Sequence, residues 1–485
     1  MQKNILSILF LFAGIALLIN LSACKKNQII TSSDAVLEFS VDTLTFDTVF
    51  TNMGSATKRF KIYNPHNQPI EVSNISLGGG EYSDYKINID GANSYTAENI
   101  EIPPNDSIYI FVNVRIDPDN GDAIRKDSIM FSTNGNDQKV ILQAYGWNAI
   151  YVGQIGYITS FPANSLVRLS AGKPYIFLGY IVVDSNSTME VDPGVEIFMF
   201  GGPSTRPGGR ALLYIGNNST LKMNVGGDLN NPVEIKSHRL EYDYQLITLH
   251  HNGIFLSKNS VNNQIHGTVI RNAIDGIFVD SLSLNGNPKL EIKNSFIYNV
   301  DRAGIMGRQA SIDAENLIIA NSNQFDLITL RGGDYNFKHC TFANYGVDLV
   351  KRNEPLVSYR DYEVVYDTDG NETVVTADGS ATFTNCIIYG SSGEETEVIR
   401  ASETTSTSNV KFDYCLMKVD TFSGYEPTCV INAAPLFTDI DNYNFKVDTS
   451  ASPAVDAGTA ISVNADAEGT VRDGNPDIGA YELIK

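Results

Sequence analysis

Five short segments end in residues able to do chemistry. They are GIFLS (253–257), GIFVD (276–280), GIMGR (304–308), LITLR (327–331) and DLVKR (348–352), ending in Ser257, Asp280, Arg308, Arg331 and Arg352. Stacked as successive strands, they bring three guanidiniums into one file, which Arg400 in EVIRA extends. Like charges about 5 Å apart repel by roughly 1 kcal/mol in water and by several times that near a protein surface, so the file needs anions. Neighbouring acids, namely Asp301, Asp334, Glu354 and Asp361, can supply them, and this is the favoured reading. The functional alternative is a carboxylated or sulfated glycan gripped by bidentate arginine contacts, which makes Arg308, Arg331 and Arg352 the candidate ligand-binding residues.

Catalysis finds less support. A lyase needs a base and a group that neutralises a uronate, and Asp280 with Arg308 or Arg331 is a weak candidate set. A glycosidase needs two carboxylates flanking the bond, and Asp280 is alone in its file. His250 and His251 are adjacent, so on a strand they face opposite ways. No metal site is expected. Asp367, Asp369 and Asn371 faintly resemble a calcium loop, but a plain hairpin turn between YEVVYD and ETVVTA is the simpler reading.

The elements that would position these residues repeat. IHGTVIRN (from Ile265), IKNSFIYN (Ile292), AENLIIAN (Ala314), FKHCTFAN (Phe337), FTNCIIYG (Phe383) and FDYCLMKV (Phe412) start 22 to 29 residues apart, with one interval of 46 that holds either a further coil or an insertion. Periods of this size mark a solenoid. Three short strands and three turns fill one coil of a parallel β-helix. Asn294, Asn316 and Asn385 share one column, with His339 in the same place. Asn272, Asn299, Asn321 and Asn344 share another. Asparagine at a bend satisfies amides that no ladder reaches, so both columns are structural. Cys340, Cys386 and Cys415 share a third column and are read, with Cys429, as buried thiols; a Cys386–Cys415 disulfide is sterically allowed.

Residues 36–148 alternate with period two. In SIYIFVNVRI, residues Ile108, Ile110, Val112, Val114 and Ile116 fall on one face, between turns such as NPHNQP and TNGND. The expectation is a β-sandwich. Before it, residues 1–23 carry one lysine and an apolar run, as a secretory signal does. The ending Leu21-Ser22-Ala23-Cys24 resembles a bacterial lipobox, which implies lipid on Cys24, residues 24–35 as a tether, and membrane attachment through the acyl chains. Lys25 favours the outer membrane by the usual sorting rule. A formal net charge of −21 makes nucleic acid a poor partner.

Two family resemblances follow from these residues. TLTFDTVFTNMGSATKRFKIYNPHNQPIEVSNI resembles the immunoglobulin-like choice-of-anchor D and ASPM-type modules of bacterial surface proteins. Residues 149–430 resemble the right-handed parallel β-helices of pectin-lyase-like proteins. SPAVDAG with DAEGTVRDGNPDIGAYE resembles the terminal motif of choice-of-anchor Q proteins, so 431–485 is read as a last coil and cap, with Asp456, Arg472, Asp477 and Glu482 in ion pairs. The whole reads as an all-β, Bacteroidetes-like lipoprotein of the cell envelope. Its β-helix is expected to bind glycan or another macromolecule without catalysis. The alternatives are a lyase or glycosidase acting on an acidic glycan, and a purely structural protein.

Overall fold

A computed structural model describes residues 28–484 apart from positions 90, 118–122, 203–207, 284, 346–351, 353, 392–396, 403–405, 421–423 and 448, and the side chain of 243. The expected signal segment and Cys24 lie outside the described residues. The chain is all-β. Its helices among the described residues are a 3-10 turn at Gly80–Tyr82 and one α-turn at Tyr242–Gln245. No helix there is long and apolar enough to cross a membrane. Two compact units divide it, Met1–Asn148 and Ala149–Lys485.

The first unit holds two five-stranded sheets. Alternation decides which side chains each sheet turns inward. In Ser107–Val114, residues Ile110, Val112 and Val114 are fully buried. They share one core with Phe60 and Ile62 of their own sheet and with Val72, Phe131 and Leu142 of the other. Each such side chain contributes about 1.5–3 kcal/mol by leaving water.

In the second unit, 25 strands form one sheet that winds on itself. From residue 175 to 280 each strand lies parallel to the one three places on: Asn263–His266 beside Leu290–Lys293, and Thr268–Arg271 beside Phe296–Tyr298. Further on, Ala303–Glu315 and Phe325–Lys338 each run through a corner and serve two faces of the winding. This arrangement is compatible with a β-helix. Its core is built from stacked files of aliphatic and aromatic side chains. Ile277, Ile305, Leu327 and Val357 are at most 1% exposed, and Phe337, Phe383 and Phe412 stack at 5.0 and 4.6 Å.

The interval of 46 is one winding. Phe337 lies directly beside Phe383; Val357–Arg360 is a regular strand of that winding, and the extra length includes a hairpin of Tyr362–Tyr366 with Glu372–Thr376. Asn294, Asn316, His339, Asn385 and Tyr414 occupy equivalent bends, all with φ between 48° and 55°. Asparagine tolerates this left-handed backbone well. Asn316 donates to Asn294 (2.9 Å), while Asn385 donates to His339 (2.8 Å). The other asparagine column bonds to neighbouring loops. Asn272 donates to the Gln245 and Ile247 carbonyls, Asn299 accepts from the Tyr443 hydroxyl, Asn321 accepts from the Tyr345 amide, and Asn344 donates to the Ser322 carbonyl. These side chains tie loops to the winding.

The C-terminal segment runs back along the flank of the winding, over the bends. Arg472, 8% exposed, pairs with Glu482 at 3.0 Å and donates to Asn316 Oδ1 and the Gly479 carbonyl. Thr459 and Asn385 exchange hydrogen bonds, and the Ala480 amide donates to Thr341. Asp477 accepts from the amides of Asp456 and Leu483.

Candidate functional site

The arginine file does not form. Asp280 lies beside Arg308, but Arg308 lies beside Leu330, not Arg331. The cause is one residue. The strand Ala303–Glu315 passes its corner through Gln309 alone, whereas the next winding spends Arg331 and Gly332 there, since Ala310 lies beside Gly333. Arg331, Gly332 and Gly333 all have positive φ. A Cβ on Gly333 would stand 2.4 Å from the Ala310 carbonyl, so the corner requires glycine. An extra residue of this kind re-aims every side chain near it. Arg352 precedes the strand Val357–Arg360, and the strand position following Leu330 belongs to Arg360.

Arg308, Arg331 and Arg352 each have an acid, but not the acids expected from sequence. Arg308 pairs with Asp280 at 2.8 Å and lies over the Phe278 ring at 5.3 Å. Arg331 pairs with Glu363 of the hairpin at 2.7 Å, and Glu363 also stands 3.8 Å from Arg308. Arg352 is 6% exposed, and its Nη2 donates to both carboxylate oxygens of the fully buried Glu397, at 2.8 and 2.9 Å. Arg400 donates to the Ser408 carbonyl. Burial alone would raise the Asp280 carboxyl; the Arg308 hydrogen bonds and charge, aided by Ser281 and Lys289, hold it below its ordinary value. It is therefore ionised and engaged, which suits a strut better than a base. Beneath it, the buried Lys289 reaches the carbonyls of Ser257 (3.2 Å) and Asp280 (2.7 Å) as well as that of Lys258, and burial lowers its pKa to about 8.

Beside Arg352 lies Asp326, fully buried, with neither carboxylate oxygen in a hydrogen bond. Burial pushes its pKa well up, against the pull of Arg352. That shift, which the Glu397 carboxylate reinforces, opposes a second negative charge beside the Arg352–Glu397 pair. Sequence reasoning missed Glu397 and Asp326, because neither falls at a strand end.

Other candidates are also engaged. The Asp367 carboxylate accepts from the amides of Asp369 and Asn371 and from the Asn371 side chain, so it serves its own turn. Ser237 and His250 meet at 2.5 Å, and the same hydroxyl accepts from the Arg239 amide, which closes the base of the intervening loop. Tyr214, Phe255 and Phe278 form an outward ladder stacked at 5.3 and 4.8 Å. Their faces cover one another, and the Arg308 guanidinium caps the last ring.

One groove keeps unspent polar capacity. It measures about 500 Å³ and lies where the loop 282–288 meets the windings. Ser283 and Asn287 line it on one side, Asp313 and Asp334 on its floor, and Ser380 and Thr382 on the other. Register explains the convergence: Ser311 lies beside Asp334, and Asp334 beside Ser380. Asp334 is exposed and accepts from Ser380 at 3.0 Å; Asp313 accepts from Asn336 at 2.8 Å with Lys338 at 3.3 Å. Both carboxylates keep further lone pairs for a ligand. A second depression, about 600 Å³, lies in the first unit among Lys86, Asn88, Asn93, Tyr95 and Phe111. There Asn88 and Asn93 are bonded to each other at 2.8 Å.

No family model matches the chain, and no curated protein matches it. Among solved structures, one similar chain is a protein of unknown function from Porphyromonas gingivalis W83, at 16% identity over 26% of this chain and 51% of that one, TM-score 0.18. Another is a family 123 glycoside hydrolase from Clostridium perfringens, at 11% identity over 26% of this chain and 25% of that one, TM-score 0.19. A third is the catalytic domain of a GH87 alpha-1,3-glucanase, at 9% identity over 81% of this chain and 90% of that one, TM-score 0.19. The chain thus spans about half of the first protein and a quarter of the second. Likeness this slight leaves the function to the chain's own geometry.

Proposed function

We propose that this chain is an exported lipoprotein, acylated at Cys24, in which an immunoglobulin-like sandwich carries a right-handed β-helix that binds glycan without cleaving it. The groove at Asp313 and Asp334 supports the reading. Hydroxyls and carboxylates from successive windings converge there, and windings lie about 4.8 Å apart, close to the length of one sugar residue in a chain. Carboxylates accept from the paired hydroxyls of a sugar. They also repel uronate and sulfate, so the ligand is an uncharged glycan. The arginines, each already engaged, take no part.

A glycan array probed with the full chain tests this. Binding to neutral polysaccharide should fall at least tenfold in Asp334→Ala with Thr382→Ala. Equal binding by that variant overturns the assignment. A second reading, a glycan-cleaving enzyme, draws on the same two carboxylates. Diagonal neighbours on adjacent strands stand about 7–8 Å apart, within the range of the two acids in inverting glycosidases. Release of reducing ends that is lost in Asp313→Asn would favour it over binding alone.

A further inference from the structure

We infer that Cys415 and Cys429 form a disulfide when the chain meets an exported thiol–disulfide oxidoreductase, and that Cys340 and Cys386 remain thiols. The four cysteines stand in one file along the bends. Thr341 lies beside Ile387, Ile387 beside Leu416, and Leu416 beside Val430, so each cysteine precedes a paired residue on an adjacent winding. All four are free. Neighbouring positions on parallel strands fall inside the Cα range that a disulfide spans.

The file is open at one end. Cys340, Cys386 and Cys415 are fully buried, whereas Cys429 is half-buried. Its Sγ stands 3.4 Å from the Cys415 amide nitrogen and 3.4 Å from the Phe412 carbonyl, so it already lies against its partner's backbone. The Cys415 thiol stands 3.4 Å from the Phe383 carbonyl, on the winding of Cys386, so the access of Cys429 to solvent and not the direction of the Cys415 sulfur selects the pair. An oxidant reaches Cys429 first, and Cys415 is the neighbour able to resolve the adduct.

The chemistry balances. The Cys429 sulfur, having lost its proton, attacks the donor's disulfide and forms a mixed disulfide while one donor thiol leaves. The Cys415 sulfur then displaces the second donor thiol. Two S–H bonds are replaced by one S–S bond, and two electrons and two protons end on the donor as a dithiol. The product ties the short strand Val430–Ile431 to Leu416–Met417 of the winding before it.

Each cysteine falls in its own tryptic peptide, with Cys415 in 412–418 and Cys429 in 419–446. The purified full chain would be exposed to oxidised glutathione, alkylated and mapped without reduction. The expected product is one cross-linked species joining those two peptides, with Cys340 and Cys386 alkylated. Cys415→Ser should leave Cys429 carrying glutathione, and Cys340→Ser should change nothing. A cross-link through Cys386, or recovery of both Cys415 and Cys429 as alkylated thiols, overturns the assignment. Alkylating intact cells before lysis asks separately whether the bond forms after export. There, recovery of free Cys415 and Cys429 would overturn the cellular half.

Discussion

His339 Nε2 accepts a hydrogen bond from Asn385 Nδ2 at 2.8 Å, at a bend where the neighbouring windings place asparagine. The ring is fully buried and must be neutral to accept, with its proton on Nδ1. Burial first, and the Arg472 charge second, depress its pKa to about 3, and burial takes that of His251 to about 4.

These shifts set a pH dependence. A depressed folded-state histidine means the unfolded chain binds more protons between the folded pKa and about 6.5. Stability is therefore full above pH 6.5 and falls as pH drops from there towards 4, by about 1.4 kcal/mol per unit for each histidine. Urea midpoints at pH 7.5 and 5.0 should show the loss. His339→Asn, which restores the column's usual residue, should reduce it. An unchanged midpoint at pH 5.0 would refute the account.

Arg352→Ala should destabilise the chain by about 3–5 kcal/mol, because it leaves Glu397 charged and buried. Replacing both, as Arg352→Met with Glu397→Leu, should cost less than the single change. Thermal unfolding of the three proteins checks this, and a double variant less stable than Arg352→Ala would contradict it.

Arg308→Ala with Arg331→Ala should leave glycan binding within twofold of the parent and lower stability by about 1 kcal/mol per pair or less, since both guanidiniums are partly exposed. Loss of binding in this variant, with the Asp334 variant intact, would restore the arginine groove for an anionic glycan.

Arg472→Ala should free the C-terminal segment from the winding. Limited proteolysis should then cut within 449–484 at least tenfold faster than in the parent, while the solenoid core persists. Equal cleavage rates would show that the segment is held by other contacts.

Much of the fold was legible because its signals are periodic. The alternation at Ile110, Val112 and Val114, and the recurrence of Asn294, Asn316 and Asn385, follow from the pleat and from the bend. The site was less so. One added residue at Arg331–Gly332 shifted the arginine out of file, and repeat counting has no means to see it. Glu363 lies on a hairpin whose path no period describes, so the true partner of Arg331 was hidden while Asp334, one of the acids assigned to it, lies in the groove. Asp313 and Asp334 converge through backbone pairing, and no short motif announces them.

Asn316 waits for Arg472, a residue made 156 positions later. The middle of the solenoid therefore cannot reach its final set of bonds until residue 472 has been made. Contacts this distant in sequence form slowly. The bond that ties the bend at Asn316 to the later segment thus forms only after every winding between the two has been made.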